Sequence, residues 1–538
     1  MKQSKTAFNQ NFVISNLVIF LLFSCSFCSA QVKKKPNILF VSIDDLGPNL
    51  GAYDNQHIKS PHLDAFAKTG MTFRNTYCQA AVCAPSRASL MTGLRPDSTR
   101  VWHLGDKFRE INADYVTMPQ HFNKHEYHTV NIGKIFHNYM PDSVSWDEPD
   151  LRPAQYCKPE WLKRDGETFY VNEETQRKQN IARDKKMEEW FNRTGKTEYY
   201  ADGWNNGPAW EMEDVHDTLY YDGAQTELAK RTLTRLSKQE EPFFLALGYF
   251  RPHLPFAVPK KYWDLYDRDS LPLASNPYLP KQSPIMSMNS MYELRGYDGF
   301  KNLKHPSENV MNEDTARILK QGYYASVSYV DELFGQVIQH LKDLNLYDNT
   351  IIVVWGDHGW KLGEHNGWCK QTNYNIDIHV PMMIYSPNQL NKGKQTFGIT
   401  ELIDMFPSLC DLADIEKPDY LQGTSFVPLI ENPKREWKTG AFSQFHRRPK
   451  VTPDGKRYMG YSLKTKDYHY VEWYYWNNET KEREEFVTNE LYDSKNDPDE
   501  NMNIANIKTN ELLVEKLTKQ LKCGWRKALP ADNVTEGD

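Results

Sequence analysis

Asn37-Ile38-Leu39-Phe40-Val41-Ser42-Ile43 is an almost unbroken apolar run that stops abruptly in Asp44-Asp45-Leu46-Gly47. A run of that length, apolar on both faces, reads as a strand buried inside a parallel sheet. The same design recurs three times. Tyr127-His128-Thr129-Val130-Asn131-Ile132-Gly133 leads into Lys134-Ile135-Phe136-His137, and Phe243-Phe244-Leu245-Ala246-Leu247-Gly248-Tyr249 leads into Arg251-Pro252-His253. Thr350-Ile351-Ile352-Val353-Val354-Trp355 leads into Gly356-Asp357-His358-Gly359. Between these runs apolar residues return at helical spacing, most clearly over 313–344, where Val327, Val330, Phe334, Val337, Ile338 and Leu341 share a face. Strands alternating with helices predict an α/β fold with a large, mostly parallel central sheet flanked by helices. Such sheets bind ligands beyond the carboxyl ends of their strands. Four strand ends would then deliver Asp, Lys and His groups to one crevice.

Asp44, Asp45 and Asp357 make a three-carboxylate cluster in that crevice, and such a cluster repels itself without a cation. Carboxylate oxygens suit a hard divalent ion such as calcium or magnesium. Beyond residue 435 the text changes character. Tyr458 to Lys464 and Tyr468 to Tyr475 are aromatic and strand-like, Glu490-Leu491-Tyr492-Asp493 precedes a polar turn, and Leu512 to Leu521 reads as a terminal helix. These pieces predict a smaller C-terminal antiparallel sheet plus helix. Residues 150–215 are polar, rich in Trp and Tyr, and poorly periodic, as expected of a long insertion at the rim of the site.

The chain of 538 residues is 39% hydrophobic and 25% charged, with a net charge of −6. That field does not attract a polyanion, so no nucleic-acid partner is expected, and an anionic substrate must be held by local cations. Lys2 and Lys5, the apolar run Val13 to Phe23, and Cys28-Ser29-Ala30 read as an export signal over 1–30. The run is too short and interrupted for stable membrane insertion. A periplasmic or secreted protein is expected, with lipoprotein anchoring at Cys25 the lesser alternative. The expected organisation is a signal peptide over 1–30, a catalytic α/β domain over 34–435, a C-terminal subdomain over 436–525 and a tail over 526–538. Cys78, Cys83, Cys157, Cys369, Cys410 and Cys523 follow the leader, and no spacing among them predicts a disulfide framework or a zinc site.

Cys83-Ala84-Pro85-Ser86-Arg87, followed by Ala88-Ser89-Leu90-Met91-Thr92-Gly93, carries a C-x-P-S-R motif. With Ser42-Ile43-Asp44-Asp45-Leu46, Leu94-Arg95-Pro96-Asp97, Gly133-Lys134-Ile135-Phe136-His137, Arg251-Pro252-His253, Gly356-Asp357-His358-Gly359-Trp360 and Trp368-Cys369-Lys370, it resembles the type I sulfatases over residues 36–500. Within that family it looks most like the iduronate 2-sulfatase-like branch of polysaccharide sulfatases. The resemblance implies an alkaline-phosphatase-like fold and oxidation of Cys83 to formylglycine (3-oxoalanine) by a formylglycine-generating or anaerobic sulfatase-maturating enzyme. The hydrated aldehyde attacks sulfur with one hydroxyl and expels sulfate with the other, a second step that an S-sulfated cysteine lacks.

The resemblance also assigns roles. One Ca2+ per site would be held by Asp44, Asp45, Asp357 and His358 with the modified Cys83. Arg87 would steady the formylglycine hydroxyl, and Lys134 and Lys370 would grip sulfate oxygens. His253 would protonate the leaving alkoxide, with Lys370 able to share that task, and His137 would take the proton that releases sulfate. The substrate implied is a sulfated carbohydrate, either a glycosaminoglycan or an algal polymer such as ulvan, cut at O2 of a uronic acid or similar sugar. A phosphodiesterase or phosphonate hydrolase of the same superfamily, and a catalytically dead glycan-binding protein with unconverted Cys83, are the alternatives. Weaker candidates are His365, His379, the run His446-Arg447-Arg448 as a carboxylate contact, and the basic set Arg95, Arg100, Lys107 and Arg109.

Overall fold

The structure is a computed structural model that describes residues 34–137, 140–153, 169–195, 207–308, 310–449, 452 and 454–531. The expected signal peptide, Cys25 and Cys157 lie outside the described residues, as does the end of the expected tail.

Among the described residues nine strands precede residue 435. They are β1 (Asn37–Ile43), β2 (Met71–Tyr77), β3 (His128–Gly133), β4 (Trp210–Glu211), β5 (Phe243–Tyr249), β6 (Phe256–Ala257), β7 (Thr350–Gly356), β8 (His379–Tyr385) and β9 (Lys394–Glu401). Seven of them form one sheet in the order β3-β5-β1-β7-β8-β2-β9, while β4 and β6 pair separately. β3, β5, β1 and β7 run parallel, β8 runs antiparallel to both its neighbours, and β2 and β9 are parallel. The four apolar runs are therefore four adjacent strands of an α/β sheet that is mostly parallel, as expected.

Alternate residues of these strands feed two cores. Leu39, Val41, Leu245, Leu247, Ile352 and Val354 pack with Val327, Val330, Phe334 and Val337 of the helix Glu313–Asp343. Ile38, Phe40, Phe244, Ala246, Ile351 and Val353 pack with Ala88, Leu90 and Met91 of the helix Cys83–Thr92 on the opposite face. Each such side chain stabilises the fold by about 1.5–3 kcal/mol when fully buried. Helix Glu313–Asp343 starts where the Asn312 side chain accepts from the Thr315 amide at 2.9 Å, with Glu313 and Asp314 in its first turn.

β10 (Ala441–Arg447), β11 (Tyr458–Lys464), β12 (Tyr468–Asn477) and β13 (Glu482–Asp493) form the expected antiparallel C-terminal sheet. Leu517 of the helix Glu511–Cys523 packs on Leu463, Tyr470 and Leu491. β10 docks against the segment before Cys83: the Gln444 amide donates to Gln79 O at 2.8 Å, and Ser443 Oγ donates to Cys78 O at 2.5 Å. The chain from Pro36 onward is one compact unit. Just beyond residue 525 the turn Trp525–Ala528 is tied back, with the Thr439 amide donating to Ala528 O at 3.0 Å.

The insertion departs from expectation. It holds a 22-residue helix, Glu173–Thr194, that periodicity does not reveal. The helix is polar almost all round, so it has no apolar stripe to detect. Arg177 and Lys178 instead pair with Glu174 within a turn.

Candidate active site

Strand register levels the four ends. Ile43 sits opposite Tyr249 on one side and Gly356 on the other, while Gly133 sits opposite Gly248. Asp44, Asp357, Lys134 and the Arg251–His253 turn consequently leave the sheet at one edge. Two glycines permit this crowding. A Cβ on Gly248 would lie 2.0 Å from Lys134 O, and Gly133 turns the chain at φ +76° with no room beside Gln225. Asp45 is left-handed at φ 61°. Its amide donates to Asp357 Oδ1 at 3.1 Å and its carbonyl accepts from Tyr323 Oη at 2.9 Å.

Cys83 opens the helix Cys83–Thr92, every residue of which is buried. Arg87 stands one turn later on the same side and is fully buried. Its Nε donates to Asp357 Oδ2 at 2.8 Å and one Nη to Asp44 Oδ1 at 3.0 Å. Its other Nη donates to Lys134 O at 2.5 Å and Ile135 O at 3.0 Å. Arg87 thus ties together the ends of three strands.

Ligand atoms of Asp44, Asp45, Cys83 and His358 all lie within 4.8 Å of one another. His358 Nδ1 faces Gly359 O at 3.1 Å, an acceptor only, so Nδ1 donates there and Nε2 is the nitrogen turned to the cluster. That Nε2 lies 3.3 Å from Cys83 Sγ, 3.4 Å from Asp45 Oδ1 and 3.6 Å from Asp357 Oδ2. Asp357 lies at the edge of this group. Its Oδ1 accepts from the amides of Asp45 and His358, each at 3.1 Å, and its Oδ2 from Arg87. Carboxylates with one oriented imidazole fit a divalent cation, with the carboxylates favouring a hard one.

Lys134 Nζ pairs with Asp44 and lies 3.5 Å from Cys83 Sγ. Lys370 Nζ reaches Asp45 Oδ2 at 2.8 Å and Glu293 Oε2 at 2.8 Å. Burial opposes the charge on Asp44, yet Lys134 and then Arg87 outweigh it and hold the carboxyl well below its usual range. For Asp45 burial prevails, and its carboxyl is raised. Burial and then Asp44 push the Cys83 thiol far up, so an unmodified thiolate is disfavoured here. Burial and then Lys134 push His137 well down, which keeps its ring neutral, and its buried Nδ1 has no hydrogen-bond partner.

His253 is the partly open member, with a quarter of its side chain exposed. Its Nδ1 lies 2.6 Å from Leu254 O and its Nε2 3.0 Å from Glu293 Oε1. Both ring nitrogens face acceptors. Glu293 was not visible from sequence. It sits in the irregular stretch Met291-Tyr292-Glu293-Leu294, where no periodicity or motif marks it.

Other candidates go elsewhere. Arg95 is bidentate to Glu401 at 2.8 Å, and Arg109 pairs with Asp142 at 2.7 Å. Lys107 pairs with Glu110 at 3.4 Å, and Arg100 is a left-handed turn residue. His379 Nε2 contacts Arg74 O at 2.8 Å, and His365 is buried against the Tyr374 ring. His446 is buried against His103 rather than solvated, and the Arg447 guanidinium is buried among backbone carbonyls. Among the described residues Cys78, Cys83, Cys369, Cys410 and Cys523 are all free thiols.

Comparison with known proteins identifies the family. Residues 36–415 match the family described as Sulfatase, and residues 363–527 match the family described as N-sulphoglucosamine sulphohydrolase, C-terminal. Iduronate 2-sulfatase of Mus musculus is 30% identical over 87% of this chain and 91% of its own length. A solved complex with D-glucosamine-2-N,6-O-disulfate shares the fold at TM-score 0.66 and 21% identity, over 91% of this chain and 99% of that one. A phosphonate monoester hydrolase from Silicibacter pomeroyi does so at TM-score 0.67 and 22% identity, over 92% and 96%. The fold alone therefore spans sulfate and phosphonate esters, and the sequence match separates them: this chain belongs to the type I, formylglycine-dependent sulfatases, related to the iduronate 2-sulfatase-like polysaccharide enzymes, and is a sulfuric ester hydrolase.

Proposed function

We propose that the chain is an exported, calcium-dependent sulfatase that removes a sulfate ester from a sulfated carbohydrate, at O2 of a uronic acid or similar sugar. Glycosaminoglycans and algal polymers such as ulvan are the substrate classes. The observation that carries the reading is the position of Cys83, with Sγ 3.3 Å from His358 Nε2 and 3.5 Å from Lys134 Nζ. Residue 83 thus lies between a ligand set and a cation suited to a sulfate oxygen. Among the described residues no helix is long and apolar enough to cross a membrane.

Asp44, Asp45, Asp357 and His358 would hold calcium together with residue 83, and the ion would supply charge stabilisation to a sulfate oxygen. Formylglycine made from Cys83 by a maturing enzyme would supply the oxygen nucleophile and its own route of release. The remaining work falls to side chains of this chain. Arg87, fixed by two carboxylates and two carbonyls, orients residue 83. Lys134 and Lys370 neutralise sulfate oxygens, each replacing part of its present carboxylate contact. His253 donates from Nε2 to the leaving alkoxide, a poor leaving group that needs a proton. His137, neutral in its buried place, accepts the proton that accompanies sulfate release.

The test is sulfate release from a panel that includes a 2-sulfated iduronate disaccharide and lyase-digested ulvan. The protein is co-produced with a maturing enzyme, and Cys83→Ala is the control. Release that the control lacks supports the reading. Turnover of a phosphonate monoester alone, with formylglycine confirmed by mass, favours the phosphonate hydrolase reading. Glycan binding with an intact Cys83 and no release favours the binding protein.

A further inference from the structure

His446 and Arg447 close β10, and Arg448 follows them. Arg447 Nε donates to Met286 O and Arg447 Nη2 to Ser287 O, both at 2.7 Å, and its Nη1 donates to Gln371 O, next to Lys370. The Arg448 guanidinium lies 6.0 Å from the ring centre of Tyr292, the neighbour of Glu293. This end of the C-terminal sheet therefore flanks the groups that face the substrate.

Strand pairing then puts like charges together. Arg447 is paired with Tyr458 in the last row of this ladder, and Arg448 and Arg457 are the next residue of each chain beyond it. The Trp476 amide donates to Arg457 O at 3.2 Å, which holds Arg457 beside Trp476. Among the described residues, neither arginine has a carboxylate within ion-pair distance.

His446 Nδ1 contacts His103 Nε2 at 2.6 Å, and His446 Nε2 is buried without a hydrogen-bond partner. Whichever ring donates in that contact, the second nitrogen of the His446 ring is left unpaired. Besides the two rings, the charges of Arg448, Arg457 and Lys481, all positive, act most strongly on the pair. Two guanidinium groups gathered beside an unpaired ring nitrogen, with no carboxylate paired to either, lack an anionic oxygen.

We propose that His446, Arg448 and Arg457 form a second anion-binding site, which takes a carboxylate or a further sulfate of the saccharide whose ester is cut in the Cys83 pocket. The inference rests on the sulfated-carbohydrate reading above and adds which residues hold the second anionic group of that saccharide. Lys481, exposed at the edge of the cluster, adds long-range attraction.

Binding is measured by calorimetry on Cys83→Ala protein, using a 2-sulfated iduronate disaccharide and its carboxyl-reduced form. R448Q/R457Q in that background should weaken the disaccharide at least about tenfold, the loss of one charge-assisted contact. R448K/R457K should recover part of it. In the mature enzyme the glutamine pair should raise KM for the disaccharide and leave hydrolysis of nitrophenyl sulfate, which has one anionic group, unchanged. If the carboxyl-reduced form binds as weakly to the parent, the second anion is the carboxylate. If it binds the parent well and the glutamine pair still weakens it, the anion is a further sulfate. Equal binding by the parent and the glutamine pair, with matched melting temperatures, overturns this site alone. A parent that binds neither saccharide overturns the carbohydrate reading and this site with it.

Discussion

Replacing Glu293 by Gln tests how the acid end of the site works. Glu293 Oε1 lies 3.0 Å from His253 Nε2 and its Oε2 2.8 Å from Lys370 Nζ. Burial opposes the charge, but Lys370 and then His253 hold this carboxyl far below its usual range, so it is an anion at neutral pH. Glutamine keeps the size and one acceptor and removes the charge. One charge-assisted hydrogen bond contributes about 1.5–3 kcal/mol. If that contact holds His253 poised to protonate the leaving group, kcat should fall roughly 10- to 150-fold on a sugar sulfate. Nitrophenyl sulfate, whose phenolate leaves without a proton, should lose no more than about threefold. The assay is kcat and KM for both esters with matured protein, beside a melting curve showing that the fold is intact. Equal losses on the two esters would refute a role through His253. So would a rise in kcat/KM, which would mean that Glu293 competes with sulfate for Lys370.

Chelation should abolish sulfate release and lower the melting temperature, and calcium should restore both. An ion at a hundredfold excess over its Kd adds about 2.7 kcal/mol of stability, and unchanged turnover in protein shown to be metal-free would count against the cluster. Gly133→Ala should cost about 2 kcal/mol or more, because a left-handed Cβ would collide with Gln225 and Gly248 O, and a melting temperature equal to wild type would contradict that. Glu500 is buried, which opposes its charge, yet His469 at 2.6 Å and then Lys464 lower its carboxyl from 4.5 to about 2. Its folded value lies below the unfolded one, so it contributes about 3 kcal/mol that is fully present above pH 4.5 and is lost as pH falls towards 2. The gap in urea stability between wild type and Glu500→Gln should be wide at pH 7 and close near pH 2, and a gap that does not depend on pH would sink the linkage.

Local pattern carried much of this architecture. The four runs are legible because a strand buried on both faces is apolar at most positions, and each breaks close to the residue that leaves the sheet. Their polar ends, Asp44, Lys134, His253 and Asp357, are legible for the same reason: a charge directly after such a run stands at the open edge. The helix Glu313–Asp343 is visible through its stripe, whereas Glu173–Thr194 has no stripe and was missed.

Partners are another matter, because a side chain's neighbour is set by contacts hundreds of residues apart. Arg87 and Arg95 look alike in sequence and lie eight residues apart. One meets Asp44 and Asp357 beside Cys83, and the other is drawn off by Glu401. Glu293 acquires its place only when an irregular loop folds over Lys370 and His253. His446 turns inward because β10 packs beside the loop that carries His103. The sequence by itself determined the family, the central strands and which residue types stand at the crevice. Tertiary structure decided which of those charges face one another, since in a buried site each group is settled by the nearest opposite charge rather than by its place in the chain.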